Sequence, residues 1–245
     1  MKSQFSLKVL CCAVSISSLM TFPNSASAAR RAQSSAVEGH DCHGRGSKDI
    51  QFKNFKAPWY DAMAARLEGQ PVQLENGQTV PGSSMDKLLS QVTKYAAKSG
   101  TGLKCNVGSD PEAAKKLLMT IVAATAYCED EWQIKASMVE KGKIAGLHSD
   151  GLMSMTYLSD KDPKNGCLAK NQTDMQSANV NLMCAFAKMQ RMGFEQSMRA
   201  YWRGHLNGPV LNAAVNRECA SGFQDLGNTG SGTAQVAARS SRASR

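Results

Sequence analysis

The sequence predicts a mainly α-helical domain that is held together by disulfide bonds. Apolar residues recur at helical spacing in several segments, and no alternating strand pattern runs longer than four or five residues. Two of the eight cysteines lie in an export-type N-terminal segment, and the other six form an even set, which is typical of disulfide pairing in exported proteins. These six are Cys42, Cys105, Cys128, Cys167, Cys184 and Cys219. The sequence leaves their pairing open.

The N-terminal segment has the order of features of a secretory signal peptide. Lys2 and Lys8 precede the moderately apolar residues 9–22, and small residues ending at Ala28 form a cleavage site. Cys11 leaves lipoprotein attachment as an alternative. No later segment approaches the roughly 20 apolar residues that span a bilayer. We therefore expect residues 1–28 to be removed and the mature protein to be secreted or periplasmic.

The charge of the chain favours an anionic partner in the cell envelope. The formal net charge is +9, and it falls to about +7 without Lys2 and Lys8. A basic exported protein meets nucleic acid, anionic membranes or anionic wall polymers. Aromatic residues make up only 6% of the chain, and no basic helix carries interleaved aromatics for a nucleic-acid groove. We expect no nucleic-acid partner and favour a wall polymer.

Composition divides the mature chain into three parts. Residues 29–57 are rich in Arg, Ser, Gly and Lys and predict a flexible leader. Residues 58–222 contain the helical segments and are long enough for one core. Residues 223–245 predict a disordered basic tail, because they offer little apolar surface to offset the entropy of ordering. We expect this protein to be a monomer.

A metal site is the alternative interpretation of one cysteine. His40, Cys42 and His43 lie close together, as zinc ligands do, but no matching distant pair follows them. We therefore predict a disulfide for Cys42, no metal and no cofactor.

The strongest helix prediction begins at Asp110. Asp110 is a suitable N-cap, Pro111 suits the first helical position, and Glu112 complements the positive end of the helix dipole. Apolar residues then fill nearly every face up to residues 128–131, which predicts a central helix. Other helices are predicted over 58–69, from a Ser84 cap to about Lys98, from an Asp174 cap through Met189, and in the segments FEQSMRAYWRG and GPVLNAAVNREC.

Glu129 lies in the stretch AATAYCEDEW, where this buried helix ends. A solvated surface acid is one interpretation of such a residue. However, the negative end of the helix dipole and apolar neighbours both favour the neutral form of a carboxyl. A neutral carboxyl is what a general acid needs.

Four segments resemble the lytic transglycosylases and goose-type lysozymes. ATAYCEDEW is similar to the family segment A-x-A-x-x-E-S-x-F, with Glu129 at the catalytic glutamate. DGLMSM (150–155) is similar to G-L-M-Q, and DMQSANVNLMCAFAKM (174–189) to D-P-x-x-N-I-x-x-G-x-x-Y-L. SMRAYWRG (197–204) resembles L-A-A-Y-N-A-G, with Tyr201 at the tyrosine.

The chain departs from the family pattern at four positions. Asp130 replaces the serine that follows the glutamate, and Ser154 replaces the glutamine of G-L-M-Q. Met183 replaces the helix glycine, and Trp202 replaces the asparagine of A-Y-N. A divergent member or a retuned substrate is therefore expected.

The resemblance implies a lysozyme-like helical domain with a substrate cleft. It implies cleavage of the β-1,4 bond between N-acetylmuramic acid and N-acetylglucosamine in peptidoglycan, with Glu129 as general acid and base. A lytic transglycosylase needs no second carboxylate, because the 6-hydroxyl of the sugar attacks and forms a 1,6-anhydro ring. A muramidase uses water, and Asp150 is then the favoured second carboxylate, since Asp130 and Glu131 point to other helical faces.

The resemblance also assigns substrate-binding residues. They are Gly151, Leu152, Met153, Ser154 and Tyr201. Leu152 and Met153 are expected to line the floor beneath the sugars, and the Tyr201 hydroxyl to orient Glu129. Trp132 and Trp202 are candidates for stacking on sugar rings, although packing behind the glutamate is the favoured interpretation of Trp132. Two other functions stay open: a non-catalytic peptidoglycan-binding or inhibitory module, and a disulfide-stapled helical protein unrelated to sugars.

Overall fold

The computed structural model describes Cys42 and residues 49–140, 147–202 and 208–227, and this part of the chain is mainly helical. The helices are α1 (Ala57–Leu67), α2 (Asp86–Ala97), α3 (Pro111–Asp130), α4 (Tyr157–Asp160), α5 (Ala178–Met192), α6 (Phe194–Ala200), α7 (Pro209–Ala220) and α8 (Gln224–Gly227). Short strands form two antiparallel hairpins, β1 (Val72–Gln73) with β2 (Thr79–Val80) and β3 (Ser137–Val139) with β4 (His148–Asp150).

Helix α3 is the centre of the core, as its sequence predicts. Asp110 caps it by accepting the N–H of Glu112 at 2.9 Å, and α1, α2 and α7 pack around it. Every residue from Leu117 to Ala126 is buried. The helix stops because Glu131 and Trp132 both adopt left-handed backbone conformations, with φ of +48° and +62°. Trp132 then folds back, and its indole N–H donates to the Ala123 carbonyl at 2.7 Å.

The remaining helix predictions agree with the structure except at two caps. Helices α1, α2, α6 and α7 lie where they were expected. The N-cap of α2 is Met85, one residue after the predicted Ser84, although the Ser84 hydroxyl still accepts the N–H of Asp86 at 3.2 Å. Asp174 does not cap α5, whose N-cap is Ser177. Its carboxylate instead accepts the N–H of Lys170 and the amide of Asn76, both at 2.8 Å. These partners hold Asp174 in a separate 3₁₀ turn before the helix.

Disulfide bonds tie distant segments to the core. The pairs are Cys42–Cys128, Cys105–Cys219 and Cys167–Cys184. The predicted disulfide framework is therefore confirmed, and the structure supplies the connectivity. The bond from Cys42 ends one residue before Glu129, so it anchors the last turn of α3.

The ordered domain extends beyond both predicted boundaries. Ile50, Phe52 and Phe55 lie in the predicted flexible leader, yet all three are buried in the core. At the other end, Phe223 is buried and α8 follows it. Burial of these apolar side chains offsets the entropy of ordering a polar segment. The predicted signal peptide, the rest of the leader and residues 228–245 of the tail lie outside the described residues.

In the described part of the chain, no helix is both long and apolar enough to cross a membrane.

Candidate functional site

The turn between β4 and α4 is the structural centre of the candidate site. This 150–155 turn is closed by reciprocal backbone hydrogen bonds between Asp150 and Met155, at 3.0 and 2.9 Å. Gly151 and Ser154 both adopt left-handed conformations, with φ of +74° and +46°. The positive φ at Ser154 is uncommon for a residue with a side chain and suggests that the surroundings hold it in place.

Helix α5 holds this turn through one buried side chain. Asn181 is fully buried, and its amide oxygen accepts the N–H of Met153 at 2.8 Å. Its amide nitrogen donates to the carbonyls of Asp150 and Met175, each at 2.8 Å. A Cβ on Gly151 would lie 2.1 Å from the Met175 carbonyl oxygen. Glycine is therefore required at 151 for both its φ and its close approach to the neighbouring backbone.

The apolar residues of the turn lie inside the core. The Leu152 and Met153 side chains are fully buried, so they support the turn from below and do not present a surface to a sugar. Trp202 is also fully buried, and its indole N–H donates to the Met153 carbonyl at 3.0 Å. The prediction that Trp202 stacks on a sugar ring is wrong, because its ring has no exposed face. At this departure from the family pattern, the indole braces the turn.

Tyr201 approaches the turn from the end of α6. Its hydroxyl lies 2.5 Å from a carboxylate oxygen of Asp160 and 3.0 Å from the Ser154 carbonyl oxygen. Burial and then the charge of Asp160 raise the pKa of the Tyr201 phenol well above its ordinary value, so the phenol keeps its proton. The Tyr201 hydroxyl thus binds Asp160 and the turn, and its expected role in orienting Glu129 stays a prediction.

A buried ion pair lies behind Tyr201. The Lys188 ammonium of α5 contacts Asp160, whose carboxylate also accepts the N–H of Thr156 at 2.7 Å. The same ammonium lies 3.4 Å from the centroid of the Tyr201 ring, a cation–π arrangement. Burial lowers the pKa of Lys188, and the charge of Asp160 opposes that shift. The pair connects α4, α5 and the end of α6.

Two acidic residues occupy the last turn of α3, and the second of them, Asp130, contacts the 150–155 turn. Glu129 is half-buried. Asp130, also half-buried, accepts a hydrogen bond from the Ser154 hydroxyl at 2.9 Å. Burial raises the pKa of Asp130 to about 6; the Ser154 hydrogen bond opposes this rise, and the charges of Glu129 and Asp150 add to it. The sequence argument that directed Asp130 away from the site is wrong, because a residue 100° around the helix still meets the turn.

Asp150, the expected second carboxylate, is buried below the turn. Only 2% of its surface is exposed, and one oxygen accepts the amide of Gln172 at 2.6 Å. Its other oxygen has no hydrogen-bond partner among the described residues. This placement lets Asp150 act on the site through its charge, whereas direct contact with a bound polymer requires the turn to open.

A further carboxylate near the turn carries no sequence signal. Glu140, next to β3, accepts a hydrogen bond from the Ser149 hydroxyl. That hydroxyl lies 2.9 Å from the hydroxyl of Thr156, whose N–H binds Asp160. This series of hydrogen bonds therefore runs from Glu140, which is half-buried next to β3, to the buried pair of Asp160 and Lys188. Pairing of β3 with β4 creates this contact, so residue spacing alone does not reveal it.

Among the described residues, no group of three or more potential metal ligands lies together. Cys42 is in a disulfide, so it offers no thiolate for the zinc interpretation. His40 and His43 lie outside the described residues.

Comparisons with known proteins add little to this geometry. No protein-family profile and no curated protein matches the chain. Among solved structures, the chain is similar to a mutant of DslA from Bdellovibrio, with 16% sequence identity and a TM-score of 0.34. The similarity covers 44% of this chain and 64% of that one. It is a weak link at the level of the fold, and nothing about the chemistry of the site follows from it.

Proposed function

We propose that this chain is an exported enzyme that cleaves the β-1,4 bond between N-acetylmuramic acid and N-acetylglucosamine in peptidoglycan. One observation carries the proposal: four segments that resemble the same enzyme family, far apart in sequence, are hydrogen-bonded into one cluster. Asp130 from α3 binds Ser154, Asn181 from α5 holds the backbone of the 150–155 turn, and Tyr201 with Trp202 hold its carbonyls.

Glu129 is the general acid and base in this proposal. Its half-buried carboxyl donates a proton to the glycosidic oxygen while the bond to the anomeric carbon breaks. In the transglycosylase reaction, the ionised Glu129 then accepts the proton of the sugar's 6-hydroxyl as that oxygen bonds to the anomeric carbon. In the muramidase reaction, water supplies the attacking oxygen. The products therefore separate the two: anhydro ends mark the first reaction and reducing ends mark the second.

The rest of the molecule is consistent with a wall substrate. The mature chain is basic, and peptidoglycan with its attached polymers is anionic. Three disulfides suit an oxidising compartment outside the cytoplasm.

The decisive variant is Glu129→Gln, which is nearly isosteric and cannot donate an ionisable proton. Wild type and variant are incubated with purified sacculi, and released muropeptides are measured by mass spectrometry. We expect activity to fall by roughly 10²–10⁴-fold, the usual contribution of general acid–base catalysis. Retention of activity within a few-fold of wild type refutes the role of Glu129.

Glu112→Gln is the matched control, because it makes the same chemical change at the exposed first turn of the same helix. It should leave the release of muropeptides unchanged. Circular dichroism of both variants checks that each is folded. Binding of wild type to sacculi without any soluble product would instead favour the non-catalytic binding module.

A further inference from the structure

Asp130 has surroundings that a surface acid lacks. It is the last residue of α3, at the negative end of a 20-residue helix that has no basic residue in its last turn. Asp130 is half-buried, so a carboxylate there loses much of its hydration. Negative charge at this position is therefore disfavoured by the helix and by burial, and something in the structure must support it.

The 150–155 turn supplies that support. Ser154, only 8% exposed, directs its hydroxyl to the Asp130 carboxylate at 2.9 Å. The left-handed backbone of Ser154 is held by the Tyr201 hydroxyl at its carbonyl, 3.0 Å away. A strained residue that is braced on one side and donates a hydrogen bond on the other is typical of a functional arrangement.

The charged groups around Asp130 come from three directions. Glu129 precedes it on α3, and Asp150 faces it from β4; both carboxylates repel an ionised Asp130. Behind the turn, Tyr201 contacts Asp160, and Lys188 of α5 pairs with Asp160. Because Lys188 is already paired, the direct support that the structure gives to the Asp130 carboxylate is the Ser154 hydroxyl.

We propose that Asp130 is the second carboxylate of the site and that, ionised and held by Ser154, it stabilises the positive charge that develops on the sugar ring. This inference rests on the proposed glycosidase function. The transition state of glycosidic cleavage is oxocarbenium-like, and a fixed carboxylate in a partly dehydrated site stabilises such charge far better than water does. The segment that this stretch resembles has a serine at this position, and a serine carries no charge.

A pH dependence follows from the chemistry of Asp130. Its raised pKa, about 6, means that the carboxyl takes up a proton as the pH falls through about 6. Because the ionised form is the useful one, the contribution of Asp130 to the rate should be half-lost at about pH 6 and lost at lower pH. Loss of the Ser154 hydroxyl removes the interaction that lowers the pKa of Asp130, so the decline should begin at a higher pH.

The test measures kcat and KM between pH 4.5 and 8, with soluble uncrosslinked peptidoglycan strands as the substrate. Wild type is compared with Asp130→Asn and with Ser154→Ala. We expect Asp130→Asn to lower kcat by roughly 10²-fold at pH 7, to leave KM within a few-fold, and to lose the decline near pH 6. Ser154→Ala should keep the decline and shift it to higher pH. If Asp130 and Ser154 only stabilised the fold, these substitutions would not change the pH at which the rate declines. If Asp130→Asn does not fold, Asp130→Ser, the residue of the family pattern, replaces it.

The outcomes separate this inference from the proposed function. An inactive Glu129→Gln together with an Asp130→Asn that keeps the wild-type pH profile overturns the inference and leaves the proposed function standing. An active Glu129→Gln overturns the proposed function. Titration of the Asp130 carboxyl by ¹³C NMR is independent of activity: a midpoint that is the same in wild type and in Ser154→Ala shows that Ser154 does not hold the carboxylate, and it overturns the inference in either case.

Discussion

Replacing Gly151 by alanine tests whether the 150–155 turn is built around a close backbone approach. Gly151 has a φ of +74°, which costs an L-residue about 1–2 kcal/mol. The new Cβ would also lie 2.1 Å from the Met175 carbonyl oxygen and 2.6 Å from the Asn181 amide nitrogen. Relief of that contact breaks buried hydrogen bonds of Asn181, at about 1–3 kcal/mol for each group left unsatisfied. We expect Gly151→Ala to lower the free energy of unfolding by about 3–6 kcal/mol.

Gly77→Ala is the matched control for this prediction. Gly77 has a similar φ of +80°, but a Cβ there meets nothing within 4 Å. It should therefore show only the backbone cost of about 1–2 kcal/mol. Urea unfolding followed by circular dichroism, with the disulfides intact, measures both variants, and an unchanged m-value allows the midpoints to be compared. If Gly151→Ala is no more destabilising than Gly77→Ala, the proposed close approach is refuted.

Three further changes probe the energetics of the site. Asp130→Asn should stabilise the fold by about 1–3 kcal/mol at pH 7.5, because the raised pKa of Asp130, about 6, makes its ionisation unfavourable in the folded state; this gain should shrink as the pH falls through about 6 and vanish below about pH 3, where the carboxyl is protonated in both states. Lys188→Met should destabilise by about 3–5 kcal/mol, since it leaves the fully buried Asp160 without its cation. Replacing Cys42 and Cys128 by serine should cost about 4–5 kcal/mol, because their bond closes a long loop with a sequence separation of 86.

Each of these predictions has a result that contradicts it. A stability difference for Asp130→Asn that does not depend on pH would mean that Asp130 titrates at its ordinary value. Lys98→Met is the control for Lys188, because Lys98 pairs with Glu195 at the exposed surface and should matter by less than about 1 kcal/mol; equal effects of the two variants would refute the importance of burial. Unfolding of the serine pair at the wild-type urea concentration would contradict the disulfide estimate.

Residues close together in the sequence were sufficient to predict the helices. Asp110 and Pro111 mark the start of α3 through local hydrogen bonding and backbone geometry, and the apolar residues that follow mark it as central. Cysteine parity and the export-type N-terminal sequence were likewise sufficient to predict disulfides. Glu129 was singled out by the end of the apolar pattern and by the family resemblance, and its catalytic role stays a prediction.

Contacts between distant residues were not predictable in this way. Aspartate is a common N-cap residue, yet Asp174 does not cap α5, because its side chain accepts a hydrogen bond from Asn76 of the first hairpin. The resemblance gave no sign that the Tyr201 hydroxyl binds Asp160, and the helical angle of Asp130 gave no sign that Ser154 reaches it. The departures from the family pattern at Asp130 and Ser154 were the one sequence feature that could have indicated their contact, since these two residues hydrogen-bond each other.

The sequence by itself determined where this chain is helical, where its central helix ends and that its cysteines pair, because each depends on the periodicity, capping or count of residues. Only the tertiary structure decided which cysteines pair, which predicted loop residues enter the core and that the pKa of Asp130, in the last turn of α3, is raised to about 6. The reason is physical: burial and the hydrogen bond between Asp130 and Ser154 depend on which segments meet, and those residues are 24 positions apart along the chain.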